Sequence, residues 1–382
     1  MHKNIQIASL DLFWMPRLQR ALSSDFETEI LSTWSLKKSF KNADLRNKNA
    51  YFLHYLLQAY KMVPAIRFNN HTYYHLCRAF DLWLSGNISD NSDALICMSG
   101  FGLASLKKAK HKKFITIIEC GSAHTDYQHN VLIDEYKKNG IINGLFPANY
   151  RNRVKKEFEE ADYIQIPGTF VRNTFLEAGV PPEKLLLAHY GADLDIFSPK
   201  SPPTGDTPFR IICPSGVNIR KGARILVEAW KKLSWDDAEL HWIGSITPET
   251  EHLFKSETKG ICFHKWMSHL ELSNLYRSCD VMCLPTFEDG FAMVVVEAAA
   301  CGVPSILTPN SCAQDFFTQG NPEGWLIPVN SVDALCESLI EAKADRQKTY
   351  ERGLKALARA KSGFSWDDYG TRVRANLHQI LG

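Results

Sequence analysis

Two short apolar runs constrain this chain more than any other feature. Val281–Leu284 ends at Pro285, and Ser305–Leu307 is followed by Thr308 and Pro309. Neither run alternates with polar residues, so each reads as a strand buried on both faces, as parallel sheets require. The stretch between them opens with Asp289-Gly290 and closes with Gly302-Val303-Pro304, an acidic, flexible entry and a glycine-then-proline stop that together bracket a helix. Strand, loop, helix and strand in that order place the loop at the carboxyl end of the first strand. That is where open α/β sheets bind ligands, backed by a helix amino terminus.

Two carboxylates frame the loop. Asp289 sits at its lip, and Glu297 follows about two helical turns later, so both side chains can face one cleft. Glu297 is flanked by Val294, Val295, Val296 and Ala298–Ala300, and a charge in so apolar a helix needs a partner or a ligand. Read from the pair alone, a bond to a backbone amide or a nearby lysine explains Glu297 as well as a ligand does.

The wider pattern resembles the signature of the retaining glycosyltransferases of family 4, whose fold is GT-B: two Rossmann-like doubly wound α/β domains facing across a cleft. The carrying residues are Asp289-Gly290-Phe291-Ala292-Met293 and Glu297-Ala298-Ala299-Ala300-Cys301-Gly302-Val303-Pro304. The first acid of the family is usually glutamate. Here the correctly spaced residue is Asp289, with Glu288 one position out of register. The resemblance implies that Glu297 accepts from ribose hydroxyls, and that Asp289, with Gly290, Phe291 and Ala292, orients the sugar.

Further upstream, Pro214-Ser215-Gly216 leads through Arg220 and Lys221 to Gly222 and a helix from Ala223 to Lys232, a loop suited to pyrophosphate. The family's Lys-Gly matches Lys221-Gly222, whose ammonium would stabilise the departing diphosphate. Relatives carry an arginine five or six residues earlier, where this chain has Ser215 and Gly216; the second cation is therefore missing or supplied by Arg220. In the first half, the strand Phe114–Ile118 is followed by Gly121-Ser122-Ala123-His124. A lone histidine is more often structural. The resemblance nevertheless implies that His124 contacts the donor sugar as a catalytic residue beside Asp289 and Lys221. Many relatives have a Gly-Gly loop after the first strand, and Asp11–Pro16 contains no glycine.

The resemblance covers residues 155–382 well, 90–135 moderately and the first 90 in outline. It implies a first domain over 1–197 on the acceptor side and a second over 198–363 holding the donor. A closing helix at about 364–382 returns to the first domain. Pro199, Pro202, Pro203, Gly205 and Pro208 give the junction a linker composition.

With 382 residues the chain is long enough for two such domains, and 45% apolar against 23% charged residues is ordinary globular composition. No apolar run is long enough for a membrane helix, and charges interrupt the amino-terminal apolar stretch, so the expected location is cytoplasmic. The ten cysteines contain no Cys-x-x-Cys and no short-spaced framework, and read as buried thiols of a reducing compartment. His71 and His75 have the spacing of a metal helix without its glutamate or a third ligand, and no metal is expected there. Residues 1–190 carry a net charge of about +6 and the remainder about −4. Lys107, Lys108, Lys110, Lys112 and Lys113 concentrate the positive half. Such a cluster is ordinarily a solvated loop; its functional reading is peripheral contact with an anionic membrane at the inner face. Nucleic acid is not expected, because no recognition motif accompanies the charge.

The function implied is retaining transfer of a hexose-type sugar from a nucleoside diphosphate sugar to a hydroxyl of a glycan or lipid-linked acceptor. Cell-surface polysaccharide or lipopolysaccharide synthesis is its setting, and neither cofactor nor metal is needed. A nucleotide-sugar epimerase, a glycan phosphorylase or a non-catalytic carbohydrate-binding protein shares the architecture and stays open at this level.

Overall fold

The computed structural model describes residues 3–10, 15–33, 46–62, 70–141, 145–199, 201–202, 207–254 and 259–382. Two parallel sheets organise them. The first contains β1 (Asn4–Ser9), β2 (Glu27–Ser32), β3 (Arg46–Asn49), β4 (Ala94–Met98), β5 (Ile115–Glu119), β6 (Tyr163–Ile166) and β7 (Leu185–Leu187) in the order 3-2-1-4-5-6-7. The second contains β8 (Phe209–Cys213), β9 (Ala238–Ile243), β10 (Ile261–His264), β11 (Val281–Leu284), β12 (Ser305–Leu307) and β13 (Gly324–Leu326) in the order 10-9-8-11-12-13. Each order reverses once, between β1 and β4 and between β8 and β11. A crevice opens at the carboxyl ends of the strands on either side of such a reversal. This doubly wound, two-sheet architecture is the expected one.

In the first domain the helices are α1 (Met15–Leu22), α2 (Tyr51–Met62), α3 (Asn70–Asn87), α4 (Leu103–His111), α5 (Thr125–Lys138), α6 (Ala148–Glu160) and α7 (Thr169–Glu177). The second has α8 (Ala223–Leu233), α9 (His269–Ser278), α10 (Met293–Ala300), α11 (Ala313–Phe316), α12 (Val332–Ala344) and α13 (Arg346–Lys361), and α14 (Trp366–Leu381) follows. Because α10 is packed by α9, α13 and β12, nearly every face of it can be apolar. Its approach to α13 is so close that a Cβ on Gly353 would collide with the Gly302 carbonyl. A capping box of Ser365 and Asp368 starts α14, which runs back against α1; there a Cβ on Gly370 would lie 2.7 Å from the Cβ of Ala21.

The seam between the domains is apolar and aromatic. Tyr190, Phe291, Phe364 and Tyr369 belong to one buried cluster that also holds β1 and α10 side chains. The His189 ring stacks between Phe291 and Phe364, 5.8 Å from each centroid. On one flank, Thr169 donates its backbone N–H to Asp315 at 2.8 Å, and His189 Nε2 lies 3.1 Å from the same carboxylate. Burial would raise the Asp315 carboxyl, but the bonds from His189 and Thr169 hold it below its ordinary value.

Most strand positions read from sequence fall within a residue of those observed. β2 and β3 do not: the sequence between residues 20 and 90 reads as helix-rich, and both strands interrupt it. Of the loop read as lacking glycine, residues 11–14 lie outside the described residues, as do residue 200 and residues 203–206 of the junction. No disulfide links the ten cysteines, and all but Cys262 are buried.

Candidate active site

The two crevices face each other and form one cleft of about 980 Å³. Its second-domain wall is built by the loops that leave β8, β9, β10 and β11. Ser215, Gly216 and Lys221 come from the first of these, Gly244 and Ser245 from the second, Trp266 and Met267 from the third. Asp289, Phe291 and Ala292 come from the fourth, and Met293, Val294 and Glu297 follow on α10. Seven of the ten residues singled out in the sequence therefore meet in one place: Ser215, Gly216, Lys221, Asp289, Phe291, Ala292 and Glu297. His124, Arg220 and Gly290 do not line it.

Lys221 and Asp289 form an ion pair within this wall, each side chain 14% exposed. Gly222, at φ +76°, lets the backbone turn here, and a Cβ on it would strike the Pro285 carbonyl. Asp289 also accepts from the Ala292 N–H at 3.2 Å. Burial alone would raise the Asp289 carboxyl, but Lys221 and Arg220 more than offset that and hold it below the usual range. Ala292, which caps α10, is left-handed at φ +56°, a conformation costing a residue with a side chain on the order of 1 kcal/mol and often found at ligand sites.

Glu297 sits one side of the cleft away. Burial raises its carboxyl to about 7, against the pull of the Arg17 guanidinium and the Tyr276 hydroxyl. Arg17 reaches in from α1 of the other domain, its Cζ 4.3 Å from the centre of the Trp366 ring.

The neighbouring acids Glu288 and Asp289 point in opposite directions. Glu288 is fully buried and turned toward the first domain. Its carboxylate accepts from the Ala123 N–H at 3.0 Å, Gln128 Nε2 at 2.8 Å and Arg220 at 3.1 Å. Arg220 also donates to the Glu288 carbonyl at 2.9 Å. It is thus engaged at the domain junction and does not line the cleft. Gly290 belongs to the same junction. A Cβ there would run into the Gly121 carbonyl, so the residue permits the β11 and β5 loops to touch.

His124 departs most from the sequence reading. It is the N-cap of α5, with Nδ1 accepting weakly from the Asp126 N–H at 3.4 Å. The ring packs 5.7 Å from Phe158 and 5.2 Å from Phe175 and borders a separate cavity of about 490 Å³ beside the cleft. Burial lowers its pKa and favours the neutral ring. The loop residues that do reach the cleft from this strand end are Gly121, Ser122 and Ala123, with Thr125 and Gln128 beyond them. Beside Arg17, Met98, Ser99 and Val154, the first-domain wall carries the aromatic residues Tyr73, Phe101, Phe146 and Tyr150, with Phe146 stacked on Tyr150 at 4.4 Å.

Residues 196–357 match the family model described as glycosyl transferases group 1. The match falls on the half of the chain that carries the second sheet. A Salmonella typhimurium protein named as a colanic acid biosynthesis glycosyltransferase is similar to this chain at 24% identity over 247 residues, 61% of this chain and 60% of its own length. A Corynebacterium glutamicum protein named as a GDP-mannose-dependent phosphatidylinositol monomannoside mannosyltransferase is 26% identical over 205 residues, 48% of this chain and 53% of its own. The matches thus span between about half and two thirds of these curated relatives. Among solved structures, sucrose-phosphate synthase from Thermosynechococcus elongatus superimposes with a TM-score of 0.73 at 16% identity, covering 100% of this chain and 99% of that one. HepE of Anabaena, in complex with UDP-glucose, gives 0.70 at 14% identity over 99% of this chain and 100% of its own. At such identities the likeness is one of fold, and that fold is GT-B.

Proposed function

We propose that this chain is a retaining glycosyltransferase moving a hexose-type sugar from a nucleoside diphosphate sugar to a hydroxyl of a glycan or lipid-linked acceptor. The observation that carries the reading is the convergence of Lys221, Asp289, Glu297 and the start of α10 on one cleft between two strand-end crevices. Lys221 and the α10 amino terminus stand where a diphosphate would gather charge as the glycosidic bond breaks. Interactions that strengthen in that state are the ones that accelerate it. Asp289 orients sugar hydroxyls and holds Lys221 in place until the donor arrives. Glu297 accepts from the ribose, and the aromatic first-domain wall suits the apolar face of an acceptor sugar.

The relatives named for colanic acid and phosphatidylinositol mannoside synthesis support cell-surface glycan or glycolipid assembly as the setting. The cations that would meet the diphosphate are side chains, so transfer proceeds without a metal. In the lysine cluster, Lys110 pairs with Glu160 and Asp162, and Lys112 with Asp90. Lys107, Lys108 and Lys113 remain for an anionic membrane, and α2 adds exposed Tyr51, Phe52, Tyr55, Leu56 and Met62. The test is a screen of UDP and GDP sugars for transfer or donor hydrolysis, run with and without EDTA. Turnover of one sugar that survives chelation is expected. A protein that neither binds nucleotide nor consumes any donor overturns the reading; activity lost to EDTA and restored by magnesium overturns its metal-free form.

A further inference from the structure

With Arg220 turned away on Glu288, Lys221 is the one lysine or arginine that the described part of the second domain presents to the cleft. The opposite wall presents another. Arg17 lies in the first turn of α1, past the carboxyl end of β1, and its Cζ sits over the Trp366 ring, 4.3 Å from the centroid. A cation–π contact of this kind holds the group in place without using its N–H donors, which stay available to planar acceptors. Among the described residues, none accepts a hydrogen bond from it. Its charged neighbours are Glu297 and Asp193, which attract the guanidinium without bonding to it. A half-buried guanidinium with open donors, beside the carboxylate proposed to hold a ribose, is matched by phosphate oxygens.

We infer that Arg17 binds a donor phosphate from the first domain, supplying across the cleft the second cation that the β8 loop lacks. This rests on the proposed function. A donor held between Lys221 of one domain and Arg17 of the other bridges the two, so its phosphates bind best when the cleft is closed.

The plainer role for Arg17 is to steady Glu297, and the two roles separate on the phosphate. Calorimetric titration of the unaltered protein with UDP and GDP identifies the base, and the matching nucleoside is then compared with its diphosphate in Arg17→Gln. The diphosphate should weaken about tenfold or more and the nucleoside less than about twofold, with Arg17→Lys restoring much of the loss. Arg17→Met, which keeps an apolar stem over Trp366, carries the same comparison should the glutamine variant unfold. Equal losses for nucleoside and diphosphate assign the effect to the ribose side and overturn the inference, as does undiminished diphosphate binding. An unaltered protein that binds neither UDP nor GDP removes the functional reading, and the inference with it.

Discussion

Glu288→Gln is an isosteric change at a site bordering the cleft without lining it, and its cost can be worked from the geometry. The carboxylate takes three bonds, from the Ala123 N–H, Gln128 and Arg220, and two of these cross between the domains. A glutamine has a single accepting oxygen, so its amide nitrogen must face one of those donors. One bond is lost outright, one buried donor is left unmet, and Arg220 loses its nearest counterion. Breaking a buried, hydrogen-bonded pair from one side costs roughly 3–5 kcal/mol. Asp289 also attracts Arg220, which places the expectation at the lower end, about 3 kcal/mol. Because the bonds tie the β11 loop to the start of α5, the penalty should fall first on closure of the cleft. Small-angle scattering should show a larger radius of gyration, and urea unfolding followed by tryptophan fluorescence should start at lower concentration. A double cycle with Arg220→Gln should return a coupling energy of about 1 kcal/mol or more. A Glu288→Gln protein that matches the unaltered one in both measurements refutes this account of the junction.

Glu297→Gln should weaken nucleotide binding by about 1.5–3 kcal/mol, whereas Asp289→Asn should lower turnover more than affinity; titration and steady-state kinetics of each variant distinguish these patterns. Gly290→Ala forces a methyl into the Gly121 carbonyl, so it should cost about 1–3 kcal/mol in denaturant unfolding and depress kcat/KM with it. Since the Glu297 carboxyl is raised to about 7, its charged form prevails only above that pH. Nucleotide affinity should therefore rise as pH increases from 6 to 8, and the rise should vanish in Glu297→Gln. Vesicles containing anionic lipid should sediment more protein at low salt than neutral ones, with a smaller difference after Lys107, Lys108 and Lys113 are changed to glutamine; equal binding to both removes the membrane contact.

The buried strands were legible because parallel sheets leave uninterrupted apolar runs: the runs Val281–Leu284 and Ser305–Leu307 coincide with β11 and β12 to the residue. β3 was not legible. Its sequence, Arg-Asn-Lys-Asn, has no apolar residue, and it lies at a sheet edge where pairing with β2 alone makes it a strand. At the site, spacing along a helix or loop predicted which residues share the cleft, and so Asp289 and Glu297 meet there. Spacing does not predict which way a loop residue turns. Glu288 and Asp289 are adjacent, yet one faces the junction and the other the cleft, a difference imposed by Arg220, Ala123 and Gln128. The same holds for His124: its position past β5 is readable, but its capping bond and the rings of Phe158 and Phe175 set the ring beside the neighbouring cavity. Arg17 carried no local signal, because the ring that seats it, Trp366, is remote in the chain.

The return of α14 to the first domain has a consequence for how the molecule is made. Arg374 donates to the Ala21 carbonyl at 2.6 Å, Asn376 to that of Leu187 at 3.2 Å, and Val373 and Leu377 share a buried cluster with Leu18 and Leu22. The first sheet is complete once Leu187 has left the ribosome, but the helix that covers α1 emerges roughly 180 residues later. At about 5–20 residues per second, that is an interval of roughly 10–40 seconds. During it the apolar side of α1 stays uncovered, while the second domain is synthesised and can fold in full. Vectorial synthesis therefore completes the domains in the reverse of their order in the gene, and a fragment ending at the junction would leave the ribosome with its sheet built and one flank open.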